Sequence, residues 1–113
     1  MAERGDVLEL RARLGFGKGN QRERVVVVQA TALNSALPTT IIAPLDVLAD
    51  PYLDQALLLR VPGAEAGATK DQVAILTHLK VAATDRFEPG RVGKLSDVTL
   101  AALDEKLRLI LDL

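Results

Sequence analysis

The sequence contains no cysteine, which excludes disulfides, thiol nucleophiles and zinc–thiolate centres. It has a single histidine, His78, so a multi-histidine metal site is excluded as well. Aromatic side chains make up 3% of the chain, and the core must therefore be assembled from Val, Leu, Ile and Ala. No apolar run approaches the ~20 residues that a membrane-crossing helix requires. Met1–Asp6 is polar and no apolar segment follows it, so no secretory signal is read. These absences lead to the expectation of a soluble, cytoplasmic protein that does not associate with membranes.

What remains is ordinary for a globular chain. The 113 residues are 49% apolar and 26% charged, enough for one domain over 1–113 with a core that needs no covalent staple. The net charge of −1 excludes a polycation, but the charge is uneven. Arg11, Arg13, Lys18, Arg22 and Arg24 lie close together with only Glu23 opposing them. That excess either attracts phosphates or is a solvated loop with surface charge.

Along the chain, Asp6–Arg13 alternates in the manner of a half-buried strand. Leu14–Gln21 is a glycine-rich loop. Its GFGKG matches neither the P-loop nor the dinucleotide fingerprint, and no helix pattern follows. Arg24–Gln29, with four consecutive valines, reads as a buried strand. Ala30–Leu37 reads as an irregular turn. Pro38–Leu45 reads as a strand that Pro44, which lacks an N–H, should end or confine to an edge. Gln55–Val61 reads as a further strand and Pro62–Lys70 as a loop. Asp71–Ala82 reads as one long strand, or two with a break near Thr77. Thr84–Glu88 reads as a helical turn capped by Thr84. Ser96 should cap a helix over Asp97–Leu111, with Leu100, Leu103, Leu107 and Ile110 on its buried face. Short strands followed by one helix indicate an α+β fold built on a small barrel or a strongly bent sheet, not an alternating Rossmann-like arrangement.

Arg4-Gly5-Asp6-Val7, the valine run ending at Gln29, Asn34, Pro38-Thr39, Ala43-Pro44-Leu45, Lys70-Asp71-Gln72-Val73, Arg86, Val92-Gly93, Leu95-Ser96 and the Leu103–Leu113 helix occur in a familiar order. Together they resemble the MazF/PemK family of toxins from type II toxin–antitoxin systems, from Arg4 to Leu113. The resemblance implies an SH3-like, PemK-type β-barrel with a C-terminal helix, assembled as a homodimer. It implies an mRNA interferase that cleaves single-stranded RNA without a metal or other cofactor, and an antitoxin partner with an acidic, disordered tail. Two positions depart from the family pattern. Counting back from Gln29, the arginine that opens the family's second strand is Glu23 here, followed by Arg24. The Ser or Thr that follows its third strand is Asp46.

Cleavage through the ribose 2′-OH needs a base, an acid for the leaving oxygen and donors for the charged phosphorane. The candidate catalytic residues are Arg24 and Arg22 as phosphate donors, Asp46 as base, and His78 as acid or base. Phe16, Lys18, Thr39, Lys70 and Lys80 are the candidate RNA contacts, with Phe16 either stacking on a base or folding back onto the barrel. Each has a structural alternative. Arg22 and Arg24 read equally as edge-strand gatekeepers, Asp46 as a turn residue, His78 as a half-buried hydrogen-bonding residue, Thr39 as strand packing and Lys70 as part of a surface turn. With both family slots changed, the alternative function is a catalytically degenerate binding module for an antitoxin, RNA or protein target.

Overall fold

The structure is a computed structural model, and it describes residues 2–11, 23–48 and 57–113. Among the described residues, seven strands form one curled antiparallel sheet, a half-barrel, with a helix from the C-terminal segment packed on it. The strands are β1 (Asp6–Glu9), β2 (Arg24–Val27), β3 (Thr39–Val47), β4 (Leu59–Val61), β5 (Gln72–Ala74), β6 (Lys80–Ala83) and β7 (Gly93–Lys94). Their order is β4-β5-β3-β2-β1-β7, with β6 also paired to β3. The helices are α1 (Thr31–Ala36), α2 (Gly63–Ala66) and α3 (Asp97–Leu111). The fold class agrees with the α+β expectation.

The sheet is buried on both faces, which explains its continuous apolar runs. Alternate residues of a strand point to opposite sides. Val26, Ala43, Leu45, Leu59 and Ala74 therefore join one core with Leu103 and Leu107 of α3. Val25, Val27, Ile42, Leu8 and Leu10 join a second core with Ala82 and Phe87 on the other face. Within the valine run, Val25, Val26 and Val27 are all fully buried, divided between the two cores.

Helix α3 forms where the sequence places it. The Ser96 hydroxyl accepts from the Thr99 N–H at 3.3 Å, and Asp97 sits in the first turn, where the dipole favours a carboxylate. Arg4 ties this helix to the sheet: its Nε donates to the Val28 carbonyl at 2.8 Å and its Nη2 to Asp104 at 2.6 Å. At the helix start, the Ser96 N–H donates to Glu65 of α2 at 2.8 Å. Helix α2 and β7 meet backbone to backbone. A Cβ on Gly67 (φ +66°) would lie 2.2 Å from the Val92 carbonyl oxygen, and one on Gly93 would lie 2.0 Å from that of Glu65.

Four local expectations are corrected. Residues 31–36 form a helix, not an irregular turn. No side chain caps it, and it is held instead through buried Asn34. The Asn34 amide oxygen accepts from Gln29 Nε2 at 2.9 Å and from the Thr40 hydroxyl at 2.7 Å, while its nitrogen donates to the Ala2 carbonyl at 3.1 Å. Residues 63–66, within the expected loop, form α2. The turn at Thr84–Arg86 is 3-10 with Ala83 in the cap position, and the Thr84 hydroxyl donates to the Pro38 carbonyl at 3.2 Å. The strand expected over 55–61 is β4, Leu59–Val61; residues 55 and 56 lie outside the described residues.

Pro44 is a further correction. It neither ends β3 nor lies at an edge, because β3 runs on to Val47 with neighbours on both sides. On one side Pro44 pairs with Val25. On the other, the partner of β3 changes from β6 (Ile42 opposite Lys80) to β5 (Leu45 opposite Ala74), and Pro44 falls between them. Its carbonyl accepts the Ile75 N–H at 2.9 Å. It offers no N–H in return, so the Ile75 carbonyl turns to the His78 N–H, at 3.1 Å. That bond closes the 3-10 turn Leu76–His78. The break near Thr77 thus follows from the missing donor of Pro44 on the adjacent strand.

Candidate functional site

The pairing registers run a line of residues across the sheet. Asp46 of β3 is opposite Val73 of β5, and Val73 is opposite Arg60 of β4. Opposed residues share a face. Leu45, Ala74, Leu59 and Val61 belong to the core under α3, so their neighbours Asp46, Val73 and Arg60 occupy the other face. Val25 is opposite Pro44, and this register continued by two residues carries Glu23, a buried side chain, to the level of Asp46. Lys80, opposite Ile42, lies on this face too and is exposed. One face therefore assembles Asp46, Arg60 and Lys80 from three strands with Glu23 from the residue before β2.

Asp46 is half-buried within β3 and is not a loop-starting turn residue. Its Oδ1 accepts the N–H of Val47 at 2.8 Å. Arg60 is exposed, at 68%. Its Nε and Nη2 both donate to Asp71 Oδ2, at 3.0 and 2.6 Å. The second carboxylate oxygen of Asp71 accepts the Gly63 N–H at 2.9 Å. The hydrogen bond from Arg60, then that from Gly63, holds the Asp71 carboxyl below its ordinary range.

Arg24 is placed on the opposite face. Its Nη1 donates to the carbonyls of Gly67 (2.6 Å) and Ala66 (3.2 Å), and its Nε is 3.4 Å from Glu9. The guanidinium thus closes the C-terminal end of α2, where carbonyls lack helical partners. Thr39 is half-buried at the far end of β3, opposite Ala83. Lys70 is exposed in the turn before β5, its carbonyl accepting from Gln72 Nε2 at 3.1 Å. His78 is exposed at the end of the 3-10 turn, not half-buried on a strand. Arg22, Phe16 and Lys18, and with them most of the basic segment, lie outside the described residues. Of that segment Arg11 is described: its Nε donates to the Phe87 carbonyl at 2.9 Å.

Sequence reading passed over Arg60, which appears within the apolar string QALLLRV. Its signal is the alternation itself, because a lone charge between Leu59 and Val61 must point away from the face they share. A separate cleft of about 440 Å³ opens beside the start of β1, bordered by Glu3, Asp6, Asn34, Phe87 and Arg91. Buried Asp6 is 3.4 Å from Arg91 there, and none of the candidate residues lines it. Among the described residues, no group of three or more His, Cys, Asp or Glu could hold a metal ion, and no helix is long and apolar enough to cross a membrane.

The curled antiparallel sheet with a C-terminal helix packed on one face matches the MazF/PemK-type fold. The chain belongs to the PemK-like, MazF-like toxins of type II toxin–antitoxin systems, whose family model matches residues 3–111. Comparison with curated proteins finds no match. Solved structures share the fold. One is an endoribonuclease in complex with its cognate antitoxin from a mycobacterial species, with TM-score 0.79 and 14% identity, covering 100% of this chain and 97% of that one. The Mycobacterium tuberculosis toxin MazF-mt6 has TM-score 0.75 and 14% identity, covering 96% and 97%. A MazE–MazF crystal structure from Deinococcus radiodurans has TM-score 0.74 and 19% identity, covering 99% and 97%. At these identities the likeness is one of fold.

Proposed function

We propose that this chain is the toxin of a toxin–antitoxin pair and acts in the cytoplasm as a metal-independent endoribonuclease on single-stranded RNA. The observation that carries this reading is the family match over residues 3–111. The charged row across one sheet face supports it. Asp46 is the base for the ribose 2′-OH, and His78, whose imidazole can carry a proton, is the acid for the leaving oxygen. Lys80 and Lys70 contact the RNA strand, while Thr39 has the parity of Ala43 and Leu45 and stands on the other face. Arg24 acts by holding β2 against α2, which fixes the strand that leads into Glu23. The partner is an antitoxin with an acidic tail, a reading supported by the fold neighbours described with MazE or a cognate antitoxin, and the assembly is a homodimer.

The test is incubation of a long, mixed-sequence RNA with the protein in EDTA, with product ends mapped. Discrete cuts ending in a cyclic phosphate support the reading, and Asp46→Asn and His78→Gln should then abolish them. RNA left intact by folded protein sinks it.

A second reading is a binding module that retains the fold without cleaving RNA. It is favoured by the carboxylates Glu23 and Asp46, which repel phosphate where a cation or hydroxyl would attract it. RNA retained on the protein but never cut, in the same EDTA assay, selects this reading.

A further inference from the structure

The face that carries Asp46 has a carboxylate, Glu23, at the head of β2, while the arginine next to it points to the other side and is consumed by α2. A site for a polyanion on this face needs a cation from elsewhere in the row. We propose that Arg60, aimed by Asp71, is a phosphate-binding cation of this face, beside Lys80, and engages a backbone phosphate of single-stranded nucleic acid lying across β5 toward Asp46. The inference rests on the functional reading above, and it moves the main phosphate contact from β2 to the β4 edge of the sheet.

Three observations carry it. The first is register: Arg60, Val73 and Asp46 are successive members of one row, so the two charged residues are two strand spacings apart, about 10 Å. Apolar Val73 lies between them, and no charged side chain of the row intervenes.

The second is orientation. A guanidinium has five N–H donors in a planar fork. Two of them, on Nε and Nη2, are used by one oxygen of Asp71, and among the described residues Asp71 is the only hydrogen-bond partner of Arg60. Asp71 cannot swing away, because its other oxygen is held by the Gly63 N–H. The carboxylate therefore fixes one edge of the fork and leaves the Nη1 edge for a ligand, the geometry suited to two-point contact with phosphate.

The third is the small structural value of the pair. Arg60 and Asp71 are both exposed enough for solvent to screen them, and such pairs contribute little to stability. Arg24, by contrast, closes a helix end.

The experiment measures binding of a fluorescein-labelled single-stranded RNA oligomer by anisotropy across a salt series in EDTA, with cleavage followed in parallel. The variants are Arg60→Gln, Arg60→Lys and, as a charge-matched control on exposed α3, Arg108→Gln. Arg60→Gln should weaken binding about tenfold, the loss of one charge-assisted contact. It should also lower the slope of log K against log salt by about 0.7, the value for one phosphate contact on a single strand. Arg60→Lys should keep the slope and lose part of the affinity, and Arg108→Gln should leave both unchanged. A slope unaltered in Arg60→Gln, with wild-type protein binding or cutting the RNA, overturns the assignment of Arg60 alone. Wild-type protein that neither binds nor cuts overturns the functional reading and this assignment with it.

Discussion

On the face packed under α3, Arg24 is bound by two carbonyls and a carboxylate; on the opposite face, Arg60 has one carboxylate and solvent. Both are arginines in β-strands, and in sequence Arg24 is the more suggestive because it adjoins the family's arginine position. Strand parity separates them. Arg24 follows Glu23 and precedes Val25, so it must face away from both. Arg60 stands in the same parity as Asp46 across two registers. A charge is available to a ligand when its donors are not already satisfied, and a neighbouring position in sequence does not decide that.

If the helix-covered face is structural and the other face functional, damage to the first should show as lost stability. The largest effect is expected from Leu103→Ala. Leu103 is fully buried at the centre of the core between α3 and the sheet, and truncation should cost about 2–5 kcal/mol, read as a lower midpoint in urea unfolding. A loss under 1 kcal/mol would mean that α3 is not an integral wall of the core.

Next comes Arg24→Met. It keeps the apolar stem and removes donors to the Ala66 and Gly67 carbonyls, at an expected cost of about 1–2 kcal/mol after allowance for partial exposure. The same variant should leave the salt slope of RNA binding where it is. A slope lowered as in Arg60→Gln would break the contrast between the two arginines and return the phosphate contact to β2. Ser96→Ala, which removes the cap of α3, should cost about 1 kcal/mol in the same unfolding measurement.

Helix α3 and the strand cores were legible because each is written in local pattern: a cap followed by helical spacing, and β-branched runs. The break near Thr77 stood only as one of two alternatives, because its cause, Pro44, lies on the adjacent strand. Helix α1 was not, because its residues have no cap and little periodicity. Asn34 makes it a helix through partners from three other segments, and only tertiary structure brings those together. Pro44 misled for a related reason. The rule that proline avoids central strands assumes that every N–H position on such a strand faces a ladder, whereas β3 changes partners at that residue. The candidate site was legible in part. Asp46 and Lys80 were named from the family pattern, but their common face with Arg60 depends on the β3–β5–β4 registers, and loop lengths in the sequence do not fix those.

The smallest effect concerns the pair that aims Arg60. The Asp71 carboxyl is held below its ordinary value by Arg60 and by the Gly63 N–H. A carboxyl whose folded pKa is depressed binds fewer protons folded than unfolded in the acid range, so its contribution to stability is present above the unfolded value of about 3.9 and is lost as pH falls through the folded one. Asp71→Asn keeps an oxygen for Gly63 and removes the charge. Urea midpoints measured from pH 6 down to pH 3 should therefore fall less steeply for the variant than for wild-type protein. Near pH 6 the two should differ only slightly, because the pair is solvent-screened. A large loss at pH 6 would show that Asp71 and Arg60 hold the β4–β5 edge together, and the contrast between a structural face and a functional one would then fail at the residue on which it depends.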